Sequence, residues 1–312
     1  MNFYFPLLGL TPSFTSERIV SAPFTLSRRL RKANLPDLST LGAKHKLHFP
    51  FQFADALLSG CHLELCVDAP LLDVAMRHVS QLRIGLYLNG ITPFIVPFAA
   101  SHSSDEYAGI SSRDHPSLAA RLPPELQSGP KSEDIQVEMW PHELSFSFIY
   151  LEEKTQISES AFEQAAESAK TWKIMEGRQK ELVAFREAAE SAPMLMSASQ
   201  SYLHIWCGLE ALFPKVGSEL SFRLSIYLAQ LVDATGDRRS YHARFKKSYD
   251  IRSKIAHGSR NNITHEEWEE AWNLLIEAGK AILLRKELPS DDALLSDLLQ
   301  PSSMMIKVGL SR

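Results

Sequence analysis

Hydrophobic and polar positions follow different patterns in the two halves of this 312-residue chain. In the first half, short stretches rich in β-branched and aromatic residues lie between polar turn residues, which favours β-strands. Inside one of these stretches, Asn89 and Gly90 separate two apolar runs and predict a hairpin turn. The predicted strands lie in residues 48–53, 61–67, 82–98 and 135–151.

Two further segments of the first half depart from the strand pattern. Apolar residues of 70–82 recur at helical intervals, which predicts a helix and makes this half α+β instead of purely β. Residues 101–134 are polar and contain Ser, Asp, Gly and Pro throughout, which predicts a long loop or a mobile insertion.

From about Ser158 the pattern becomes helical and rich in Ala and Glu, beginning with a Ser/Glu capping pattern. A later helix has Thr264 as its predicted N-cap and Glu267 at the capping-box position. The further predicted helices lie in residues 194–213, 218–234, 237–257, 264–286 and 291–299.

The change of pattern near 152–158 predicts a two-domain protein. The first domain, residues 1–152, is expected to be an α+β, sheet-containing domain with a sensing or binding role. The second, residues 158–300, is expected to be an all-α antiparallel helical bundle, and residues 301–312 form a C-terminal tail.

Composition is that of a soluble globular protein, with 45% hydrophobic and 22% charged residues. The formal net charge of -4 and the pI near 6.3 give no overall basic character, so a nucleic-acid contact must come from a local patch. No window approaches the ~20 apolar residues of a transmembrane helix, and the N-terminus lacks the basic residues of a signal peptide.

The three cysteines form neither a metal-binding spacing nor a disulfide framework, which predicts a reducing, cytoplasmic compartment. The histidines include no H-E-x-x-H pattern and no glycine-rich phosphate loop is present. We therefore predict no metal site and no cofactor.

Candidate chemistry is concentrated in residues 241–260, a predicted helix that Gly258 ends. His257 lies on the last turn, where a histidine can both take and give a proton. Arg252 has a planar fork suited to the oxygens of a phosphate. Five residues of a straight helix turn about 140° and rise about 7.5 Å, so these two side chains diverge. They can converge only if the helix end is distorted or a second protomer completes the site.

The same segment contains the densest positive run of the chain. Such runs are usually solvated helix faces, but this one flanks the candidate site, so we favour a track for an RNA backbone. Tyr241 could stack on an unpaired base. The candidate RNA-binding residues are Lys246, Lys247, Lys254, Arg260 and Tyr241.

Glu210 lies in the middle of an apolar helix and therefore needs a partner, since an unpaired buried charge is costly. One interpretation is a salt bridge to Arg223 or Arg252. The other is that Glu210 orients Arg252 or His257 for catalysis, and both interpretations can hold together.

Three sequence pieces occur in order: L-H-I-W-C-G-L-E-A-L-F (203–213), E-L-S-F-R-L-S-I-Y-L-A-Q-L (219–231) and Y-D-I-R-S-K-I-A-H-G (249–258). Together they resemble the HEPN superfamily, and within it the Apea-like subgroup. The resemblance covers only the C-terminal half. It implies a small antiparallel helical bundle, and members with R-x(4–6)-H are typically metal-independent ribonucleases that work as dimers.

The resemblance implies that Arg252 and His257 are catalytic. Glu210, from its place in the apolar helix, is the third candidate catalytic residue. RNA is the expected substrate, a homodimer through the helical domain is the expected assembly, and phage defence or a toxin-like system is the expected setting. The rival hypothesis is a catalytically inactive HEPN-like module for dimerisation or for binding nucleotides or RNA. Neither hypothesis identifies the ligand of the first domain.

Overall fold

The computed structural model describes residues 1–47, 50–134, 136–143, 155–217, 219–232 and 237–299. Within these ranges an N-terminal sheet-containing region precedes a C-terminal helical region, as the patterning predicts. The predicted tail, 301–312, lies outside the described residues. No helix of the described ranges has the length and apolar character needed to cross a membrane.

The chain forms two compact units. The first comprises Met1–Ile174 with Ala189–Ser201, and the second comprises Met175–Ala188 with the described residues from Tyr202 onward. The predicted boundary near 152–158 follows the change in sequence pattern. Contacts instead place most of the first Ala- and Glu-rich helix with the sheet.

The described strands are β1 (Asn2–Leu7), β2 (Thr11–Pro12), β3 (Arg18–Ser21), β4 (Phe24–Arg28), β5 (Leu63–Asp68), β6 (Phe98–Ala100), β7 (Met139–Pro141) and β8 (Gln156–Ile157). The helices of the first half are α1 (Leu35–His45), α2 (Phe51–Gly60), α3 (Leu72–Leu88), α4 (Ser104–Tyr107), α5 (Ile110–Arg113), α6 (Pro116–Ala119) and α7 (Pro124–Gln127). Those of the second half are α8 (Glu159–Glu176), α9 (Glu181–Ser191), α10 (Ala198–Ala211), α11 (Leu220–Val232), α12 (Arg238–Ala256), α13 (His265–Arg285) and α14 (Asp291–Leu299).

The main sheet of the first unit has the order β3-β4-β5-β1-β6-β7, and its paired strands are antiparallel. Its apolar centre is set by register, because Leu65 of β5 lies opposite Phe5 on one side and Leu26 on the other. All three side chains are buried. The strand predicted at 61–67 is confirmed as β5, whereas β1, β3 and β4 were not predicted.

The hairpin predicted at Asn89 and Gly90 is wrong. Residues 82–88 continue α3, which confirms and extends the helix predicted at 70–82. Gly90 has a φ of 82° and ends this helix, while the amide of Ile91 donates to the carbonyl of Leu86. A helix C-terminus and a tight hairpin both use a glycine with positive φ, so the dipeptide alone could not separate them.

Two other strand predictions need correction. Within 48–53, residues from Phe51 onward begin α2, because Ala54, Leu57 and Leu58 form a buried helical face. Residues 48 and 49 lie outside the described residues. Of 135–151, residues 139–141 form β7, while 135 and 144–151 are not described.

Residues 101–134 are not the predicted loop, because they contain α4 to α7 and a buried side chain at Arg113. Asp37 accepts hydrogen bonds from the amides of Gly109 and Ser111, at 2.7 and 3.1 Å. Arg113 donates to the carbonyls of Glu106, Ala108, Leu126 and Pro130 at 2.6 to 3.2 Å. The Asp37 bonds join residues more than 70 positions apart, so no local pattern within 101–134 could predict them.

The predicted helices of the second half are confirmed as α10 to α14, and the Thr264 capping box is present at the start of α13. In the second unit, α11 packs against α12, α13 and α14, and α12 also packs against α13. Trp206, Phe245 and Trp268 are fully buried in this unit. The packing therefore fixes α12, the helix with the candidate chemistry.

Candidate functional site

Helix α12 begins and ends at residues that its sequence specifies. Asp237 caps the first turn by accepting from the amide of Ser240. At the other end Gly258 has a φ of 70°, and the amide of Ser259 donates to the carbonyl of Lys254 at 2.9 Å. The predicted glycine stop is confirmed. It places His257 at the C-cap.

A buried polar contact fixes the position of α12 against α10. The indole N–H of Trp206 donates to Ser248 Oγ at 3.1 Å, and the Tyr202 hydroxyl donates to the Ser248 carbonyl at 2.9 Å. Trp206 also meets the ring of Tyr249 edge-on, with 5.1 Å between centroids. Trp206 is thus a core residue.

Arg252 projects towards α10 and pairs with Glu210. Arg252 Nη2 donates to Glu210 Oε2 at 3.0 Å. Arg252 Nε lies 2.9 Å from Glu210 Oε1, which makes an ion pair, but its N–H is not directed for a hydrogen bond. The guanidinium carbon lies 5.5 Å from the centroid of the Tyr249 ring. Of the two predicted partners for Glu210, the structure has Arg252 and not Arg223.

Burial and the charge of Arg252 act on Glu210 in opposite directions. Partial burial raises the pKa of the Glu210 carboxyl, while the charge and hydrogen bond of Arg252 oppose the shift without cancelling it. The side chains of Arg252 and Glu210 remain 24% and 26% exposed. Glu210 therefore holds the fork of Arg252 at a place that solvent still reaches.

His257 is exposed at the end of α12. Its backbone amide donates to the Ser253 carbonyl at 3.0 Å, which continues the helix geometry to this residue. Across the described ranges, no hydrogen bond of its imidazole is found. The ring is therefore free to meet a substrate from solvent.

A groove of about 480 Å³, which we call the basic groove, runs beside α12. Four of the five predicted RNA-binding residues line it together with Asp250 and Glu267: these are Lys246, Lys247, Lys254 and Arg260. The three lysines are exposed. Tyr241 does not line the basic groove, and instead the guanidinium carbon of Arg244 lies 5.2 Å from the centroid of its ring.

Carboxylates of α13, which were not predicted as part of the site, limit the positive charge of this surface. Glu267 accepts from Arg260 Nη2 at 2.6 Å. Glu270 accepts from Arg244 Nε at 2.7 Å, and this hydrogen bond raises the pKa of Arg244. Glu277 lies 3.3 Å from Arg244 Nη1. The three- and seven-residue spacings of Glu267, Glu270 and Glu277 put them on one helix face, which was a usable signal.

Arg252 does not line the basic groove. At about 100° per residue, Arg252 lies about 200° around the helix from Lys254, so the two side chains leave opposite sides of α12. His257 follows the last turn and lies between Lys254 and Arg260 in the sequence. A single chain thus brings the predicted RNA-binding cations together in the basic groove. It also brings Arg252 to Glu210, but on the other side of α12 and outside the groove.

Among the described residues, one cluster of side chains could hold a metal ion by residue type and spacing, and it lies in the first unit. Donor atoms of His142, Glu143 and Glu190 are within 4.8 Å of one another. The buried guanidinium of Arg83 donates to both carboxylates, at 2.9 Å to Glu143 Oε2 and 3.1 Å to Glu190 Oε1. Arg83 therefore already supplies a positive charge that balances these carboxylates.

Comparisons with protein-family models, with curated proteins and with solved structures found no match for this chain.

Proposed function

We propose that the second unit is a HEPN-like domain acting as a metal-independent endoribonuclease, with Arg252 and His257 as its catalytic residues. The observation that carries this proposal is the gathering of four predicted cations along the basic groove, next to the helix end that presents His257. Exposed lysines in a groove suit the phosphates of a single RNA strand, since each contact releases bound counterions.

The proposed reaction is transesterification. The ribose 2′-OH attacks the adjacent phosphorus, His257 takes the hydroxyl proton, and the bond from phosphorus to the 5′ oxygen breaks. A proton returned by imidazole to the leaving oxygen balances the step. Arg252 stabilises the charge of the phosphorane with its two-pronged donor. The products are a 2′,3′-cyclic phosphate and a 5′ hydroxyl.

Two chains are needed for this chemistry in our proposal. Arg252 and the basic groove lie on opposite sides of α12, so a two-fold pair would place Arg252 of one protomer opposite His257 of the other. Glu210 orients the fork of Arg252 for that contact. The resemblance to HEPN proteins supports the same dimer, and it supports a role in phage defence or a toxin-like system.

The free state of Cys61, Cys66 and Cys207 supports a cytoplasmic location for this enzyme.

A second candidate function is an inactive HEPN-like module that binds RNA or nucleotides. One observation favours it: Arg252 Nη2 already donates to Glu210, and Arg252 does not line the basic groove. This candidate predicts RNA binding through Lys246, Lys247 and Lys254 without cleavage.

Cleavage assays in EDTA with purified variants distinguish the two functions. His257→Ala is expected to lower the rate by about 10²–10⁴-fold, the usual effect of losing an acid–base group. Arg252→Lys keeps the charge but loses the fork, so it should also fail. The matched controls are His115→Ala and Arg121→Lys, which change exposed residues of the first unit. Activity of well-folded His257→Ala equal to wild type would overturn the proposal.

Mixing two inactive variants tests the shared site. If each site combines Arg252 of one chain with His257 of the other, a heterodimer of Arg252→Ala and His257→Ala retains one intact site. Random exchange makes about half of the dimers heterodimers, so activity should return to roughly a quarter of wild type. No recovery, with heterodimers verified by mass, would show that the two residues do not act across a dimer.

A further inference from the structure

A pocket in the second unit takes no part in the proposed reaction. It is an open concave site lined by residues of α11, α12 and α14, and it shares no lining residue with the basic groove. Its volume of about 360 Å³ is near the lower end of the range of roughly 300–1,000 Å³ for small-molecule sites. A ligand of one or two rings would fill it.

The wall of this pocket is mainly apolar. Phe222 and Ile226 of α11 meet Leu298 of α14 there, and Phe222 is 54% exposed. Leu298 is also partly open, at 37%. A large aromatic side chain left half in water at a concave site offers a stacking surface for a planar ligand.

Gln230 adds an unsatisfied polar group to this apolar wall. The residue is 6% exposed, and its Oε1 has no hydrogen-bond partner among the described residues. His242 Nε2, in the same wall, is likewise covered and without a hydrogen bond. A buried acceptor without a donor destabilises the folded protein, because it has lost its hydrogen bonds to water. The last torsion of a Gln side chain is broad, so its amide can turn Oε1 towards a ligand that brings a donor.

The mouth of the pocket supplies a positive charge. Arg239, on the first turn of α12, lines the pocket and is exposed. A guanidinium beside an apolar cavity selects ligands whose apolar body carries an anionic group at one end.

We propose that this pocket binds a small planar aromatic anion that carries an N–H donor. Its ring packs against Phe222 and the apolar wall, its N–H donates to Gln230 Oε1, and its anionic group pairs with Arg239. Indole carboxylates and purine nucleoside monophosphates share this chemistry. Binding here requires neither RNA nor the catalytic residues, so it stands or falls independently of the proposed nuclease activity.

Calorimetric titration of the full chain with four probes tests the proposal. Indole-3-acetate has the ring, the donor and the charge, whereas indole-3-acetamide lacks the charge and 1-naphthylacetate lacks the N–H. We expect saturable binding of indole-3-acetate and about five-fold or greater weakening for each of the other two, the effect of about 1 kcal/mol per lost contact. Guanosine monophosphate is the fourth probe, and tighter binding than indole-3-acetate would identify a nucleotide as the ligand.

Variants assign each contact. Gln230→Leu should abolish the preference for indole-3-acetate over 1-naphthylacetate, and Arg239→Gln should abolish its preference over indole-3-acetamide. Phe222→Ala should weaken all probes, whereas Lys280→Gln, an exposed charge outside the pocket, should change none. The proposal is overturned if neither indole-3-acetate nor guanosine monophosphate saturates by about 1 mM. It is also overturned if Phe222→Ala and Arg239→Gln leave the affinity for the probes unchanged. The same holds if Phe222→Ala dissociates a dimer of the chain without changing that affinity.

Discussion

Removing either partner of the Arg252–Glu210 pair should affect stability unequally. Arg252→Gln leaves an ionised Glu210, only 26% exposed, without its counter-charge. Glu210→Gln instead leaves Arg252 over the Tyr249 ring and beside a neutral amide of the same shape. Burial already raises the pKa of Glu210 despite Arg252, so the folded protein tolerates a neutral group at this position better than a carboxylate.

The size of the asymmetry follows from the geometry. Two unit charges 4 Å apart attract by about 4 kcal/mol at an effective dielectric constant of about 20, and desolvation offsets much of this. Exposed pairs contribute about 0.2–1 kcal/mol, and breaking a fully buried pair costs about 3–5 kcal/mol. For a pair about three-quarters covered, we expect Arg252→Gln to cost about 1–2 kcal/mol at pH 7. Glu210→Gln should cost less than about 0.5 kcal/mol.

The pH dependence has a definite sign. Without Arg252 the pKa of the folded-state Glu210 carboxyl rises further, because the opposing charge is gone. The cost of Arg252→Gln is then fully present above that folded pKa. It is lost as the pH falls through the folded pKa towards the unfolded value of 4.5.

Urea unfolding of both variants at pH 7 and pH 5 measures these differences. Three tryptophans of the second unit, Trp206, Trp268 and Trp272, are buried and report its unfolding by fluorescence. The reasoning fails if Glu210→Gln costs as much as Arg252→Gln, or if the cost of Arg252→Gln is the same at both pH values.

Three other predictions concern the groove and the fold. Changing Lys246 or Lys254 to Gln should weaken RNA binding and reduce the slope of log K against log salt concentration by about 0.7 for each lost phosphate contact. An unchanged slope in filter-binding titrations would show that the lysine does not contact a phosphate. Gly258→Ala should lower the free energy of unfolding by about 1 kcal/mol, because the φ of 70° strains a residue with a side chain even though no atom lies within 4 Å of the added carbon. An unchanged stability in thermal unfolding would contradict the left-handed cap. Arg113→Met should lower the free energy of unfolding by at least about 3 kcal/mol, because four carbonyls lose their donor, and it should increase proteolysis within 101–134. Unchanged protease resistance would argue against those hydrogen bonds.

Local signals were sufficient wherever a short segment determined its own structure. The Thr264 capping box and the Gly258 stop could be predicted because each motif satisfies backbone groups within one turn. Glu210 could be predicted to have a charged partner because its helix is apolar. Choosing Arg252 over Arg223 required the rotation of α12 against α10, which the Ser248 contacts fix and which no local pattern contains.

Long-range contacts explain what the sequence did not predict. The segment 101–134 is mostly polar, and its order comes from the packing of Tyr107 and Ile110 in the core with Leu38 and Leu41, and from Asp37, 72 residues before Gly109. Bonds of Arg113 within the segment add to it. Asn89 and Gly90 fit two turn types equally well, and only the burial of α3 selects the helix end. Helical periodicity places Glu267, Glu270 and Glu277 on one face of α13, but the packing of α13 against α12 decides that this face meets the cations of α12. The same packing decides that Tyr241 lies outside the basic groove.

The chemical ends of RNA cut by the wild-type chain in EDTA test the central claim most directly. A transesterification through His257 predicts cleavage that chelation does not affect, with 2′,3′-cyclic phosphate on one fragment and a 5′ hydroxyl on the other. The same RNA with 2′-deoxyribose at the cleaved position should remain intact, because the attacking hydroxyl is missing. Fragments with a 3′ hydroxyl and a 5′ phosphate, or no cleavage by a protein that binds the RNA, would contradict the account.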